Sequence, residues 1–235
     1  RTSTAVSPDP LNGNLLIELN GSNAGVAAEG FQFSGGASGG AGSSVRGLVI
    51  NNFSGSGFII GANDVTVAGT YIGTDTDGLI DQGNLGAGIT TNGGSVAARG
   101  ATIGGLNPAD RNLISGNEDS AAYPLSDWVI QGNYIGLDVT GESALPNSST
   151  QASGAFSIDN CSDVTIGGTV VGATNVISGN ASHGLAPDNS PGIVIEGNLI
   201  GTDWTGQVAI PNQSGVTISG DQTGSVIGGT TPEAR

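Results

Sequence analysis

The sequence predicts an all-β solenoid, a stack of short strands joined by tight turns. Glycine contributes 43 of the 235 residues and is interleaved with valine, isoleucine and threonine, a composition typical of short strands and bends. Several short phrases recur at a fixed spacing along the chain. No segment long enough for a helix carries an apolar stripe at helical spacing.

The recurring phrases share a period of about 63 residues. "YIGTDTDG" has its first glycine at Gly73, and the equivalent glycines of "YIGLDVTG" and "LIGTDWTG" are Gly136 and Gly201, which gives steps of 63 and 65. "NLISGN" begins at Asn112 and recurs as "NVISGN" from Asn175, again 63 residues later. A period shared by independent phrases is the signature of a repeat architecture.

This period is too long for one turn of a solenoid, so we divide it into three coils. Residues 175–192, 193–214 and 215–235 each open with a short β-type run that ends in glycine or asparagine. Such coils bury their apolar faces only by stacking on one another. We therefore predict a single-stranded right-handed parallel β-helix of about ten coils, with three coils in each superrepeat of about 63 residues.

The alternation of apolar residues predicts which side chains face the core. Four pairs of residues separated by one position are expected to point inward together: Val65 and Val67, Trp128 and Ile130, Ile193 and Ile195, Val216 and Ile218. The asparagine that follows glycine in the repeated "GN" pairs is expected to form a ladder of side-chain amides along the bend, each bonding to the backbone of the next coil.

We interpret residues 1–235 as one β-helix domain. Residues 1–13 are expected to be a poorly ordered lead-in, residues 14–47 to form irregular N-terminal coils, and residues 48–235 to form regular coils. We expect this domain to be part of a larger polypeptide.

The charge balance narrows the classes of partner. The chain has five basic residues, all arginine, against 20 acidic residues, and its formal net charge is −15. Phosphate binding requires clusters of lysine or arginine, so neither nucleic acid nor an anionic membrane surface is an expected partner. No apolar run is long enough for membrane insertion. A polysaccharide, a cation or a protein surface remains open.

Several phrases resemble a known kind of repeat. "LIELNGSNAG", "VRGLVINNF", "GNYIGLDVTG", "ALPN", "TIGGT" and "NVISGN" resemble the right-handed parallel β-helix repeat region of large secreted or surface-attached bacterial proteins. The resemblance covers about residues 14–235 and implies an extracellular or cell-surface location. The broader β-helix class includes pectate lyases, polysaccharide hydrolases, epimerases, adhesins and phage tailspikes, so the resemblance indicates fold more strongly than activity.

No residue is assigned a catalytic role. Arg99 stands outside the repeat and is interpreted as a turn residue in solvent, and Cys161 as a small core or turn residue. His183 lies with Asp188 in what we expect to be a polar loop, and their spacing supports no triad. We expect a non-catalytic structural or adhesive segment. The alternative is a polysaccharide lyase or glycoside hydrolase of the β-helix type.

The repeated phrase also contains candidate ligands for a cation. Asp75, Asp77, Asp138 and Asp203 carry the oxygen ligands that calcium prefers, and no other cofactor is expected. Equivalent aspartates three coils apart would be separated by roughly 14 Å, so they would not share one ion. The competing interpretation is that each aspartate closes its own turn by accepting hydrogen bonds from backbone N–H groups.

Aromatic residues beside these aspartates are candidates for contact with a glycan. Tyr71 and Tyr134 open two copies of the phrase, and Trp204 lies inside the third. Amphipathic rings of this kind stack on sugars when they are exposed. Trp128 begins a strand, and we expect it to be packed in the interior.

Overall fold

The computed structural model describes residues 17–34, 39–91, 98–147 and 154–233. The predicted lead-in over residues 1–13 lies outside the described residues. Within these ranges the chain is all-β and contains no α-helix, only a 3₁₀ turn at Pro108–Asp110. All the strand pairs are parallel, as the sequence predicted.

The strands stack in three layers. Sheet 1 contains, in spatial order, β1 (Ile17–Asn20), β4 (Leu48–Asn51), β7 (Tyr71–Ile72), β10 (Leu113–Ile114), β12 (Tyr134–Ile135), β15 (Val176–Ile177) and β18 (Leu199–Ile200). Sheet 2 contains β3 (Ser44–Arg46), β6 (Thr66–Ala68), β9 (Thr102–Gly104), β11 (Val129–Gln131), β14 (Thr165–Gly167), β17 (Val194–Glu196) and β20 (Val226–Ile227).

Sheet 3 has two halves joined by one residue. Its strands are β2 (Phe31–Phe33), β5 (Phe58–Ile60) and β8 (Ile89–Thr91), followed by β13 (Phe156–Asp159), β16 (His183–Asp188) and β19 (Ser214–Val216). Ala122 forms a parallel bridge with Ile89 on one side and with Phe156 on the other. The chain passes through sheets 1, 3 and 2 in turn, and we call one complete passage through the three sheets a rung. The arrangement is compatible with a β-helical solenoid.

The predicted number and size of the coils are not confirmed. Sheet 1 is seven strands deep within the described residues, against the expected ten or so coils. Leu113 pairs with Tyr134, 21 residues later, and Tyr134 pairs with Val176, 42 residues later, so a period of 63 residues covers two strands and not three. The division of this period into three coils was wrong because every second rung is longer and includes a segment that leaves the sheets.

The core lies between the three layers. The predicted inward residues are buried in the first three pairs: Val65, Val67, Trp128, Ile130, Ile193 and Ile195 are each at most 3% exposed. The fourth pair differs, because Val216 is half-buried and Ile218 is 52% exposed. The reason is that β19 is the last strand of sheet 3 in the described structure, and no further strand covers it.

Two ladders of asparagine side chains run along the stack, where the repeated "GN" pairs predicted one, and four of the nine asparagines do not follow glycine: Asn112, Asn147, Asn175 and Asn212. At the bend after sheet 1, each Asn Nδ2 donates to the next Asn Oδ1 at 2.8–3.0 Å through the series Asn84, Asn117, Asn147, Asn180 and Asn212. At the bend before sheet 1, the series is Asn112, Asn133, Asn175 and Asn198, with distances of 2.9–3.0 Å.

Each ladder asparagine also binds the backbone of a preceding rung. Asn133 Nδ2 donates to the Ile103 carbonyl at 2.9 Å, and Asn175 Nδ2 donates to that of Ile130 at 2.8 Å. The backbone N–H of Asn112 donates to Asn133 Oδ1 at 3.2 Å. Buried amides therefore have their polar groups satisfied at both bends, and neighbouring rungs are tied together side chain to side chain.

Candidate functional site

The three copies of the repeated phrase form three similar hairpins on the outside of sheet 1. Hairpin 1 (residues 73–84) follows β7, hairpin 2 (136–147) follows β12, and hairpin 3 (201–212) follows β18. Each is closed by one antiparallel bridge: Thr74 with Asp81, Leu137 with Ala144, and Thr202 with Ala209. These hairpins are excursions that lengthen every second rung.

The first aspartate of each phrase holds its own hairpin together. Asp75 Oδ1 accepts hydrogen bonds from the backbone N–H groups of Leu79 at 2.8 Å and Ile80 at 3.0 Å. Asp203 Oδ1 accepts the equivalent bonds from Gln207 at 2.9 Å and Val208 at 3.1 Å. These bonds are the turn-closing interaction that the sequence offered as the alternative to calcium.

A threonine reinforces this turn in the second and third copies. Thr140 Oγ1 donates to Asp138 Oδ1 at 2.6 Å, and Thr205 Oγ1 donates to Asp203 Oδ2 at 2.7 Å. Burial raises the pKa of Asp203, but hydrogen bonds from Thr205 and the following backbone N–H groups outweigh this and hold the pKa below its ordinary value. Asp77 occupies the threonine position in hairpin 1.

The calcium hypothesis for these aspartates stays a prediction. Equivalent aspartates lie in hairpins that follow alternate strands of sheet 1, and these strands are about 10 Å apart, which is still too far for one ion to be shared. Among the residues that the structure describes, no group of three or more His, Cys, Asp or Glu is placed to hold a metal. Asp75 and Asp77 are the two proposed calcium ligands that share one hairpin, and a calcium ion bound to them would need backbone carbonyls as further ligands.

The two tyrosines proposed for glycan contact lie under the hairpins. Tyr71 is 6% exposed and Tyr134 is 1% exposed. A Cβ built on Gly78 would lie 3.1 Å from Tyr71 Cε2, and one built on Gly141 would lie 2.8 Å from Tyr134 Cε2. Each hairpin glycine thus packs against the ring of its own strand, and neither ring face is presented to solvent in this conformation.

Trp204 is the most accessible of the three proposed glycan contacts. It is half-buried and packs at the edge of an outer apolar cluster formed by Val49, Tyr71, Leu113, Tyr134, Leu137, Val176 and Leu199. Its indole Nε1 is buried and has no hydrogen-bond partner among the described residues. Trp128 is fully buried in the main core, as predicted, and donates to the Ala98 carbonyl at 2.6 Å.

The hairpins also stack directly on one another. The Val139 N–H donates to the Gly78 carbonyl at 2.9 Å, and the Trp204 N–H donates to the Gly141 carbonyl at 3.2 Å. The three hairpins therefore form a second layer outside sheet 1, which covers the outer apolar cluster.

Sequence reasoning missed a buried arginine beneath this layer. Arg111 is 3% exposed, its Cζ lies 4.1 Å from the centroid of the Tyr134 ring, and its Nε donates to the Gly132 carbonyl at 3.2 Å. Burial lowers the pKa of Arg111, and burial raises the pKa of Tyr134 to about 12. Arg46 is exposed and paired with Asp110, and the strand register places it one residue before the equivalent of Arg111, a shift that the sequence repeat did not show.

The other candidate residues do not meet at one place. His183 and Asp188 lie at opposite ends of strand β16, not in a polar loop, which separates them by roughly 16 Å. The His183 ring lies 3.2 Å from Thr217 Oγ1, and Asp188 accepts from Ser219 Oγ at 2.8 Å. Arg99 forms an exposed ion pair with Asp127 at 2.9 Å.

Comparison with known proteins gives no further assignment. No protein-family model matches the chain, and neither a curated protein nor a solved structure matches it. In the described part of the chain, no helix has the length and apolar character needed to cross a membrane.

Proposed function

We propose that this chain is a right-handed parallel β-helical segment with a non-catalytic structural or adhesive role in a larger secreted or cell-surface protein of bacterial type. The observation that carries the proposal is the pair of asparagine ladders. They join rung to rung through buried amides along most of the described stack, which favours a stiff rod.

The surface fits the same role. Of the arginines in the described ranges, Arg46 and Arg99 are paired with carboxylates and Arg111 is buried, while the acidic residues outnumber them. The rod therefore presents a largely anionic exterior, which suits a polysaccharide, a cation such as calcium or another protein and disfavours nucleic acid.

One observation favours the alternative, a carbohydrate-active enzyme. Asp159 and Asp188 are register partners on the neighbouring strands β13 and β16 of sheet 3. Adjacent strands lie about 4.8 Å apart, close to the carboxylate separation of about 5 Å used by retaining glycosidases. Ser157 donates to Asp159 at 2.8 Å, and Ser219 donates to Asp188 at the same distance.

An activity screen separates the two functions. We would incubate the protein with polyuronates and neutral glycans, with and without calcium, and measure chain length and new reducing or unsaturated ends. The structural role predicts no depolymerisation of any substrate. Depolymerisation that is lost in Asp188→Asn, with the fold unchanged by circular dichroism, would establish the enzyme instead.

A further inference from the structure

The outer sides of the three sheets differ in what they carry. The hairpins lie outside sheet 1, and the outer side of sheet 3 carries the carboxylates of Asp159 and Asp188. None of the three hairpins follows a strand of sheet 2. The register of sheet 2 aligns one residue from every strand in a continuous line, which we call the sheet 2 row: Ser44, Thr66, Thr102, Val129, Thr165, Val194 and Val226.

The sheet 2 row faces outward and is uncharged. The residues that follow its members point into the core, and Val67 and Ile103, for example, are fully buried, whereas Thr66 and Thr102 are half-buried. Six of its seven members are threonine or valine, although the chain as a whole has a net charge of −15. Neighbouring strands lie about 4.8 Å apart, so six steps give a row roughly 29 Å long.

Three threonine hydroxyls along this row are available to a ligand. The Oγ1 atoms of Thr66, Thr102 and Thr165 form no hydrogen bond with a residue in the described ranges. Each hydroxyl can both donate and accept, and the same side chains carry a methyl group. The row therefore combines apolar methyl groups with hydrogen-bonding groups at intervals set by the strand spacing.

Two carboxylates stand at the margin of the row. Asp64 and Asp163 lie two residues before Thr66 and Thr165, in two copies of the phrase "DVT". Both aspartates have positive φ angles, +56° and +59°, and each carboxylate lies against a glycine of the neighbouring rung. Neither carboxylate accepts a hydrogen bond from any residue that the structure describes. An ionised carboxylate only accepts, so a ligand here has to present donors.

We propose that the sheet 2 row, with Asp64 and Asp163 at its margin, binds an extended neutral polysaccharide that lies along the rod. This inference deepens the adhesive role proposed above and rests on it. Sugar hydroxyls would donate to the two carboxylates and exchange hydrogen bonds with the threonine hydroxyls, while the C–H faces of the rings would pack on the methyl groups. A β-1,4-linked chain matches this face because it is nearly straight and its sugars repeat at an interval close to the strand spacing.

Two other occupants suit this face less well. Packing against the same face of a second copy would bury the threonine hydroxyls and the Asp64 and Asp163 carboxylates among methyl groups, and burial of polar groups without partners is costly. An anionic polysaccharide would bring its own carboxylates close to these aspartates, and like charges at an interface oppose binding.

Titration calorimetry with three neutral hexasaccharides tests the site, and the probes are β-1,4-linked glucose, mannose and N-acetylglucosamine. We expect at least one of them to bind, more tightly than its disaccharide because the row spans several sugars, whereas the anionic hexasaccharide of galacturonate does not bind. Val129→Glu, at the centre of the row, should lower the affinity about tenfold or more. Thr90→Glu adds the same charge to the outer side of sheet 3, at a half-buried strand position, and should leave the affinity unchanged.

A second pair of variants tests the hydroxyl groups. Thr66→Val with Thr165→Val removes two hydroxyls while keeping the shape of the row, and should lower the affinity about fivefold. Thr90→Val is the control and should have no effect on binding. Circular dichroism and thermal unfolding check that each variant keeps its fold.

Failure of all three neutral hexasaccharides to bind would overturn the proposal, and so would equal affinities of Val129→Glu and Thr90→Glu. Sedimentation that shows a dimer of the unmodified protein, dissociated by Val129→Glu, would assign the face to a second copy and overturn it as well. None of these results bears on the rod function, which depends on the ladders and on the activity screen. Conversely, depolymerisation that is lost in Asp188→Asn would overturn the non-catalytic role through sheet 3, whatever the sheet 2 variants bind.

Discussion

The asparagine ladders and the aspartate hairpins use short polar side chains in opposite ways. A ladder asparagine bonds outside its own rung, to another asparagine and to a backbone carbonyl, and it is buried at nearly every position. A hairpin aspartate bonds inside its own hairpin, to N–H groups four and five residues later. The ladders therefore hold neighbouring rungs together, whereas the aspartates stabilise the hairpins that lie outside sheet 1.

The largest effect is expected from breaking a ladder in the middle. Asn133→Ala removes the acceptor for the Asn112 amide and a donor to the Asn175 side chain and the Ile103 carbonyl, which leaves buried polar groups unpaired. We expect the free energy of unfolding to fall by about 3 kcal/mol or more. Urea unfolding measures this change. Asn107→Ala, at an exposed asparagine, is the control, and an equal loss in both variants would contradict the role of the ladder.

A smaller effect is expected from separating a hairpin from its strand. Gly141→Ala places a Cβ at φ +70° and 2.8 Å from Tyr134 Cε2. Gly42→Ala is matched in backbone conformation, at φ +71°, but has no atom within 4 Å. We expect Gly42→Ala to lose about 1 kcal/mol of stability through backbone strain alone and Gly141→Ala to lose about 2–3 kcal/mol. Equal thermal shifts in the two variants would show that the hairpin does not press on the ring.

The turn aspartate should have a still smaller effect, and one that depends on pH. The pKa of Asp203 is depressed in the folded state, so its stabilising contribution is complete above its unfolded pKa of about 3.9 and is lost as the pH falls through the folded value. Asp203→Asn should reduce stability by about 1–2 kcal/mol at pH 7. The difference in the free energy of unfolding between Asp203→Asn and the unmodified protein should become smaller below about pH 4.

Chemical unfolding across this pH range tests the aspartate prediction. Asp77→Asn, which changes an exposed aspartate of hairpin 1, is the control and should leave stability unchanged near pH 7. If the free energies of unfolding of Asp203→Asn and the unmodified protein differ by the same amount at every pH, the acceptor in this turn is not an ionised carboxylate.

The smallest effect is expected from a surface ion pair that belongs neither to the asparagine ladders nor to the hairpins. Arg46 and Asp110 form an ion pair in which the arginine side chain is 54% exposed. Arg46→Gln should change the unfolding free energy by less than about 0.5 kcal/mol, because solvent screens exposed pairs. Thermal unfolding at low and high salt checks this, and a loss comparable with that of Asn133→Ala would show that surface charge, not the ladders, dominates stability.

The sequence by itself determined the class of fold and much of the ladders. The alternation at pairs such as Ile193 and Ile195 is a local pattern, and so is the asparagine that follows glycine at five of the nine ladder positions. Such local patterns can be interpreted without knowledge of the whole chain. The turn role of Asp75 could also be predicted, because an aspartate bonds to backbone groups within a few residues of itself.

Only the tertiary structure decided the rung length, the outer layer and the burial of the aromatic rings. A period of 63 residues does not reveal how many of those residues lie in strands, so the hairpin excursions made two rungs look like three coils. Tyr134 is covered by Gly141 of its own hairpin and also by Arg111, which comes from an earlier rung. Exposure depends on such contacts between segments distant in sequence, and for that reason the repeated phrase alone could not show which of its residues face solvent.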